Sequence, residues 1–563
     1  MIKMLQTVPA ATGLPDTKKK GAKPMKPGTL QFGRSWLSAI ASRLSRLAQS
    51  QALSITVIGL LAFGGSAAVG LMLGIREPRV HDEFSYLLAA DTFAHGRLTN
   101  PTHPMWKHFE SLHIIHQPTY ASKYPPAQGL ILVAGQVIGR HPIVGVWISM
   151  GLMCAAICWM LYAWVPPRWA VLGGLLVILH PVVGIAGEWA QSYWRGAVAA
   201  FGGALVLGAL RRIMRRPHMH DALLLGLGLA VLANSRPYEG LLFSLPAGVT
   251  LLVWMLSNSG PAVGVSIKRI VLPIFIVLAL TGTAMGFYNF RTTGNVFRMP
   301  YQVYEETYTI KPLFRWGSPR PEPTYRHQVM SQYHHEFELG TYLWGRSLSG
   351  FLAQTDIRLR MVWNYFYGEV FTVPLLAMLP VMLSWMSRNR WALFVLLNCS
   401  VGVGALLMST WATPHYAAPI LGLIFLFVLQ AMRLWRWRDR ALGQFVVWLV
   451  VILCIYSAGR SLYRTMQQDN TSAWYQQRAR MLKHLHNEQG RHLIIVTYGP
   501  KHSIHDEWVY NRPDIDRAKV VWARDMGKAQ NEELVDYFKD RQVWLLEVDL
   551  GRSTPELKPY PKT

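Results

Sequence analysis

Between Ala52 and Ile75 the chain carries no charged residue. At about 1.5 Å per residue, a helix of that length crosses the roughly 30 Å hydrocarbon core of a bilayer. Lipid offers no partners for unpaired backbone N–H and C=O groups, so such a run is stable there as a helix that closes its own hydrogen bonds. Further apolar runs predict spans near 143–164, 170–186, 197–210, 221–234, 240–257, 270–288, 370–386, 391–409, 417–432 and 442–459. With the first, they make about eleven transmembrane helices. The run 221–234 is short and ends in Asn234, Ser235, Arg236 and Pro237, the pattern of a half-helix buried among its neighbours.

Charge fixes the expected orientation. The chain has 56 Lys or Arg against 31 Asp or Glu, a formal net charge of +25. In a soluble protein that excess would point to nucleic acid. Here much of it sits between apolar runs, so no nucleic-acid partner is expected. Lys18, Lys19, Lys20, Lys23, Lys26, Arg34, Arg43 and Arg46 precede the first span, with Asp16 the only acid before it. Basic clusters recur at Arg168, at Arg211, Arg212, Arg215 and Arg216, at Lys268 and Arg269, at Arg388 and Arg390, and at Arg433, Arg436, Arg438 and Arg440. Every second loop is basic, and the positive-inside rule places those loops in the cytoplasm. The first span then reads as an uncleaved signal-anchor, and an odd number of spans puts the C-terminus outside. The expected location is a bacterial inner (plasma) membrane, multi-pass, with a periplasmic or extracellular C-terminus.

Three regions follow: a basic cytoplasmic tail over 1–50, a transmembrane domain over 51–459 with external loops 76–139 and 288–369, and an external α/β domain over 460–563. In the last, a helix is expected at 478–488, strands near 493–498, 519–523 and 542–548, and a helix at 530–540 with Leu534, Tyr537 and Phe538 on one face. His502, His505, Asp506 and Glu507 lie there without a nucleophile at any family spacing, which favours an accessory or acceptor-docking role. Cys154, Cys158, Cys399 and Cys454 all fall in predicted spans and read as small apolar fillers. No Walker loop or dinucleotide glycine fingerprint appears in strand-to-helix context, which weighs against ATP-driven transport and a Rossmann nucleotide-sugar site.

The first external loop carries the chemistry. It opens His81-Asp82-Glu83-Phe84-Ser85-Tyr86, passes through Gly96-Arg97-Leu98, and reaches Lys123-Tyr124-Pro125-Pro126 before an apolar stretch at 130–138 that suits an interfacial helix. A carboxylate at a membrane surface can deprotonate an acceptor hydroxyl, and a nearby cation can stabilise a departing phosphate. The plainer reading has Asp82 and Glu83 complementing a helix N-terminus and Lys123 snorkelling. His113 and His116, three residues apart, could face one metal if helical, but Pro101, Pro104 and Pro118 argue for irregular backbone, so no resident metal is expected. A divalent cation bridging Asp82, Glu83 and a phosphate stays open.

The acidic pair, the Gly96-Arg97-Leu98 phrase, the Lys123-Tyr124-Pro125-Pro126 element and the helix pattern resemble, over about 52–435, the GT-C superfamily of polyprenyl-phosphate-sugar-dependent membrane glycosyltransferases. The branch with protein O-mannosyltransferases and lipid A aminoarabinose transferases is the most similar. The resemblance implies transfer of a sugar from a polyprenyl-phosphate donor to a hydroxyl of a glycan, lipid or protein acceptor, by an inverting single displacement on the external face. It implies Asp82 as catalytic base with Glu83 beside it, and Lys123 on the donor phosphate, although the family often has lysine directly before two prolines and Tyr124 intervenes here. It further implies Arg195 and His415 as phosphate contacts, His415 standing where the family often has arginine; Arg236, an ionisable group at a broken-helix position, is a further candidate phosphate contact on its own account. Tyr86, Trp189, Tyr193, Trp194 and Tyr416 are the implied sugar or acceptor contacts. For Trp189, Tyr193 and Trp194 an interfacial aromatic belt is the alternative, and for Arg236 a pair with Glu239. The segment 288–369, with Tyr301, Tyr304, Glu305, Glu306 and Tyr308 close together, is a candidate lid or acceptor-binding loop. A polyprenyl-lipid flippase and a non-catalytic scaffold of the same fold are the alternatives; mostly uncharged span interiors weigh against the flippase.

Overall fold

In the computed structural model, residues 45–387, 389–468, 472–549 and 555–561 are described. Most of the basic N-terminal tail and Arg388 lie outside them. Residues 48–563 cluster as one compact unit.

Among the described residues seven helices are long and apolar enough to cross a membrane: Gln51–Leu73, Pro142–Trp164, Pro237–Leu256, Val263–Thr293, Arg390–Met408, Pro414–Arg438 and Arg440–Gln467. Local sequence sets their ends. Ser50 caps the first, its hydroxyl accepting from Leu53 N, and Gly74 with φ 79° stops it. Proline at the first helical position starts three of them, where its missing N–H is not needed.

The other four expected spans are shorter. The 170–186 run forms Pro167–Leu179 and ends before His180 and Pro181, because proline cannot continue the hydrogen-bond ladder. The runs at 197–210 and 221–234 form Ala197–Ile213 and Met219–Ala233, both packed against neighbouring helices, as expected of a half-helix at the second. The 370–386 run is broken at Met378 into Gly368–Ala377 and Leu379–Ser387. At about 1.5 Å per residue a 13-residue helix reaches only about 20 Å, so these pieces satisfy their ends inside protein rather than in lipid.

The array is layered. Pro142–Trp164 and Pro414–Arg438 are the central helices, 72% and 78% of their apolar windows being buried, whereas Gln51–Leu73 buries 28% and Val263–Thr293 17%. The interfacial stretch becomes helix Ala127–Gly139, which folds back on Pro142–Trp164 through a glycine contact. A Cβ on Gly135 would meet Gly145 N at 1.9 Å, and one on Gly145 would meet Ile131 O at 2.1 Å. Only two glycines let these backbones approach so closely.

The first inter-helix segment is ordered throughout. Helix His81–Ala94 leads to a small antiparallel sheet in which Thr119–Ser122 pairs with both Asn100–Pro101 and Ile114–Ile115. The second segment folds as helix Pro300–Tyr308, a helical run over 328–344, and helix Leu348–Phe366.

The C-terminal region has helix Trp474–Asn487 and a sheet ordered Val520–Arg524, Arg491–Tyr498, Arg541–Val548, Leu557–Pro559. The first three strands are parallel, with His492 opposite Val520 and Arg491 opposite Arg541. A short antiparallel edge strand adds a fourth to the three expected, Trp544 pairing with Pro559. On helix Lys528–Tyr537 and its end, Leu534 and Phe538 are buried, but Tyr537 is 40% exposed rather than sharing their face.

These three regions share cores. Phe84, Leu88, Phe109 and Tyr120 pack with Leu493, Ile495 and Tyr510, and Phe84 stacks on Tyr510 at 4.1 Å. Leu112, Ile115 and Ala121 pack with Val303, Tyr304 and Met330. Both inter-helix segments and the C-terminal sheet therefore lie on one side of the helix array.

Candidate active site

Helix His81–Ala94 begins with Asp82 and Glu83 in its first turn, where acidic residues complement the helix dipole. The two carboxylates then diverge. Glu83 is buried: Oε2 accepts from Arg79 N at 2.7 Å, while Oε1 accepts from Ser192 Oγ and Tyr193 N, both at 3.0 Å. It fastens the start of this helix to the turn 188–195. Burial pushes its carboxyl above the ordinary range against the pull of those donors.

Asp82 faces the site. Its Oδ1 accepts a short hydrogen bond from the Tyr124 hydroxyl, and its Oδ2 lies 4.0 Å from His113 Nε2. Tyr86, one helical turn on, stacks on Tyr124 at 4.5 Å. His113 adopts φ 65°, and its carbonyl accepts from Lys123 N and Ser85 Oγ, so the segment that follows strand Thr119–Ser122 and carries Lys123 and Tyr124 is pinned beside Asp82. His113 and His116 do not share a helix face; among the described residues no group of three His, Cys, Asp or Glu is arranged to hold a metal ion.

Lys123 is 5% exposed. Its ammonium lies over the rings of Tyr304 at 4.3 Å and Tyr301 at 5.2 Å, and 4.0 Å from Glu305. Burial brings it below the ordinary lysine range. With Tyr301, Pro125 and Pro126 it lines a crevice that also touches Asn234, Met285 and Tyr288 of the neighbouring spans.

The remaining candidates form a band beside Asp82. Arg236 lies over the Tyr416 ring at 4.0 Å, within electrostatic reach of Tyr86, Tyr124 and Glu239. His415 is fully buried; Nδ1 pairs with Thr413 Oγ1 at 2.9 Å, and Nε2 has no hydrogen-bond partner among the described residues. Trp194 meets the His415 ring edge-on at 4.5 Å, and Arg195 lies over Trp194 at 4.3 Å while pairing with Glu188 at 2.6 Å. Trp189 and Tyr193 differ from this band. Trp189 is buried with Nε1 donating to Tyr365 at 2.6 Å, and Tyr193 is buried with its hydroxyl on the Arg76 carbonyl. Both support the turn rather than face an opening.

Sequence reasoning missed the partners of Lys123. Lys311, Arg320, His334 and Glu338 join Glu305 in a charge cluster drawn entirely from the second segment. The signal available was the density of charge and tyrosine at 301–308, which marked the segment without pairing its members.

No family model matches the chain, and no curated protein matches it in sequence. Its fold matches solved structures. ArnT from Cupriavidus metallidurans bound to undecaprenyl phosphate superposes with TM-score 0.53 at 12% identity, over 87% of this chain and 92% of that one. The same protein in the apo state gives 0.50 over the same shares. An Archaeoglobus fulgidus oligosaccharyltransferase tethered with an acceptor peptide gives 0.46 at 11% identity, over 87% of this chain and 68% of that one. The chain thus shares its overall fold with the two ArnT structures.

Proposed function

We propose that this protein transfers a sugar from a polyprenyl-phosphate donor to an acceptor hydroxyl at the external face of a bacterial inner membrane, with the N-terminus cytoplasmic and the C-terminal region external. The observation that carries the reading is the grouping around Asp82 of Lys123, Tyr416 and, over the Tyr416 ring, Arg236, drawn from separate chain segments. The fold likeness to a protein solved with undecaprenyl phosphate supports the donor class.

In this reading Asp82 Oδ2, the oxygen not engaged by Tyr124, takes the proton of the acceptor hydroxyl as that oxygen bonds to the anomeric carbon. The bond from that carbon to the phosphate oxygen breaks with inversion, and the electron pair leaves on the polyprenyl phosphate. Lys123 and Arg236 stabilise that charge in a site from which protein excludes water, and His415 Nε2 offers a further contact. Arg195 is held by Glu188 and serves through Trp194. Glu83 positions the helix rather than touching substrate. Tyr86 and Tyr416 offer ring faces to a sugar.

The test is transfer of radiolabelled sugar from a panel of polyprenyl-phosphate donors in membranes containing wild type, Asp82→Asn or Lys123→Ala. Asp82→Asn should lose about 10²- to 10⁴-fold in transfer rate while still binding donor. Lys123→Ala should weaken donor binding. Transfer by Asp82→Asn at the wild-type rate would refute the base assignment.

A further inference from the structure

Lys123 of the first inter-helix segment and Lys311, Glu305 and Glu338 of the second are all buried, and ion-pair contacts link them. Glu305 faces three cations: Oε1 is 4.0 Å from the Lys123 ammonium, and Oε2 is 3.6 Å from Lys311 and 3.8 Å from Arg320. Lys311 also lies 3.6 Å from Glu338, whose other oxygen pairs with His334 Nδ1 at 2.7 Å. Lys123 has the longest of the three contacts to Glu305, and tyrosine rings line much of the rest of its surroundings.

The two lysines respond in opposite directions. Burial opposes charge on both. On Lys311, Glu305 and Glu338 outweigh it and hold the ammonium above the ordinary range. On Lys123, Glu305, Glu338 and Asp82 do not outweigh it, and Lys311 adds repulsion. A buried charge stripped of its partner is strongly destabilising. If Lys123 alone neutralised Glu305, moving it to a ligand would strand the carboxylate. Lys311 and Arg320 remove that obstacle.

We infer that Lys311 is a positioning residue: with Arg320 it holds Glu305, and it also holds Glu338, leaving Lys123 as the cation of the cluster available to the phosphate of a lipid carrier. The inference rests on the reading of the Asp82 site as a lipid-phosphate site. Leaving the His334 imidazole aside, three cations, Lys123, Lys311 and Arg320, stand against two carboxylates, Glu305 and Glu338, so these five groups carry one positive charge in excess. Asp82 faces that excess through Lys123. When Asp82 takes the acceptor proton its own charge is neutralised, and the excess falls to the phosphate that leaves.

The experiment uses the full-length protein in nanodiscs with two readouts: the pH midpoint of Lys123 acetylation, followed by mass spectrometry without ligand, and affinity for undecaprenyl phosphate. Lys311→Met removes a repelling neighbour and hands both carboxylates to Lys123. The midpoint should rise by about one pH unit, and affinity should fall about tenfold. Lys311→Arg should keep both close to wild type. Glu305→Gln should move the midpoint down, and combined with Lys311→Met it should restore most of the lost affinity.

An unchanged Lys123 midpoint in Lys311→Met overturns the inference, as does an affinity loss that Glu305→Gln does not relieve. If Lys311→Met fails to fold, Glu305→Gln alone decides: a lowered midpoint supports the arrangement, and an unchanged one overturns it. Wild-type protein that binds no undecaprenyl phosphate refutes the lipid-carrier reading instead. The two failures are separable because the midpoints are measured without ligand.

Discussion

Replacing Glu83 separates a residue that builds the site from one that reacts in it. The carboxylate accepts from three donors, Arg79 N, Ser192 Oγ and Tyr193 N, and it is buried. Glutamine has one acceptor oxygen where glutamate has two. In Glu83→Gln that oxygen can keep Ser192 and Tyr193, while the amide nitrogen then faces the Arg79 N–H, donor against donor. One buried backbone donor is left unsatisfied, at about 1 to 3 kcal/mol. Glu83→Ala abandons all three donors and opens a void; about 3 to 5 kcal/mol is expected once the turn relaxes toward water. Asp82→Asn is the control, because its amide oxygen still accepts from Tyr124 and the change should lie within about 0.5 kcal/mol. The assay is the fraction of detergent-solubilised protein remaining monodisperse after heating over a series of temperatures, with sugar transfer measured in parallel. Stability should fall in the order wild type and Asp82→Asn, then Glu83→Gln, then Glu83→Ala. A Glu83→Ala protein as stable as wild type but unable to transfer would refute the reasoning and return Glu83 to the chemistry.

Other consequences are as direct. Arg236→Lys loses the planar guanidinium over Tyr416, so undecaprenyl phosphate affinity should fall about tenfold with the charge retained; equal affinity would show that only charge matters there. Gly135→Ala places a Cβ 1.9 Å from the Gly145 backbone, so the hairpin of Ala127–Gly139 with Pro142–Trp164 must open; the yield of monodisperse protein should collapse, whereas Gly248→Ala, where a Cβ meets nothing within 4 Å, should not alter it. The buried pair Glu507 and Arg524, at 2.5 Å, holds the Arg524 guanidinium within the C-terminal region, and Arg524 Nε joins that region to the first segment by donating to the Glu110 carbonyl at 2.6 Å. Burial opposes the Glu507 charge, but Arg524 and Tyr498 outweigh it and hold the carboxyl below the ordinary range. A depressed folded value means stability that is complete above the ordinary carboxylate pKa of about 4.3 and is lost as pH falls through the folded value. Pepsin should therefore cut this junction increasingly below roughly pH 4; a pattern unchanged down to the most acid conditions would contradict the sign.

What the sequence determined by itself was the class of fold and the places where elements lie. Lipid permits so few backbone solutions that uncharged runs identify helices, and prolines and glycines at their ends fix the boundaries, as at Pro142 and Gly74. Alternation of apolar residues located the three long C-terminal strands within two residues of where they form. The first loop disclosed Asp82 and Lys123 because an acid and a lysine beside prolines are unusual just past a span.

Only the tertiary structure decided which charges meet. Glu83 and Asp82 are neighbours in sequence, yet consecutive helical residues point about 100° apart, so one is buried against 192–193 and the other faces the site. Lys123 meets Glu305 across 182 residues of chain, a separation read from numbering alone. The edge strand Leu557–Pro559 exists because Arg541–Val548 offers it an unpaired side, not because three residues carry a strand pattern. Local preference is encoded in short runs of sequence; which buried carboxylate satisfies which buried cation is a property of the packed chain, since burial is what makes an unpaired charge intolerable.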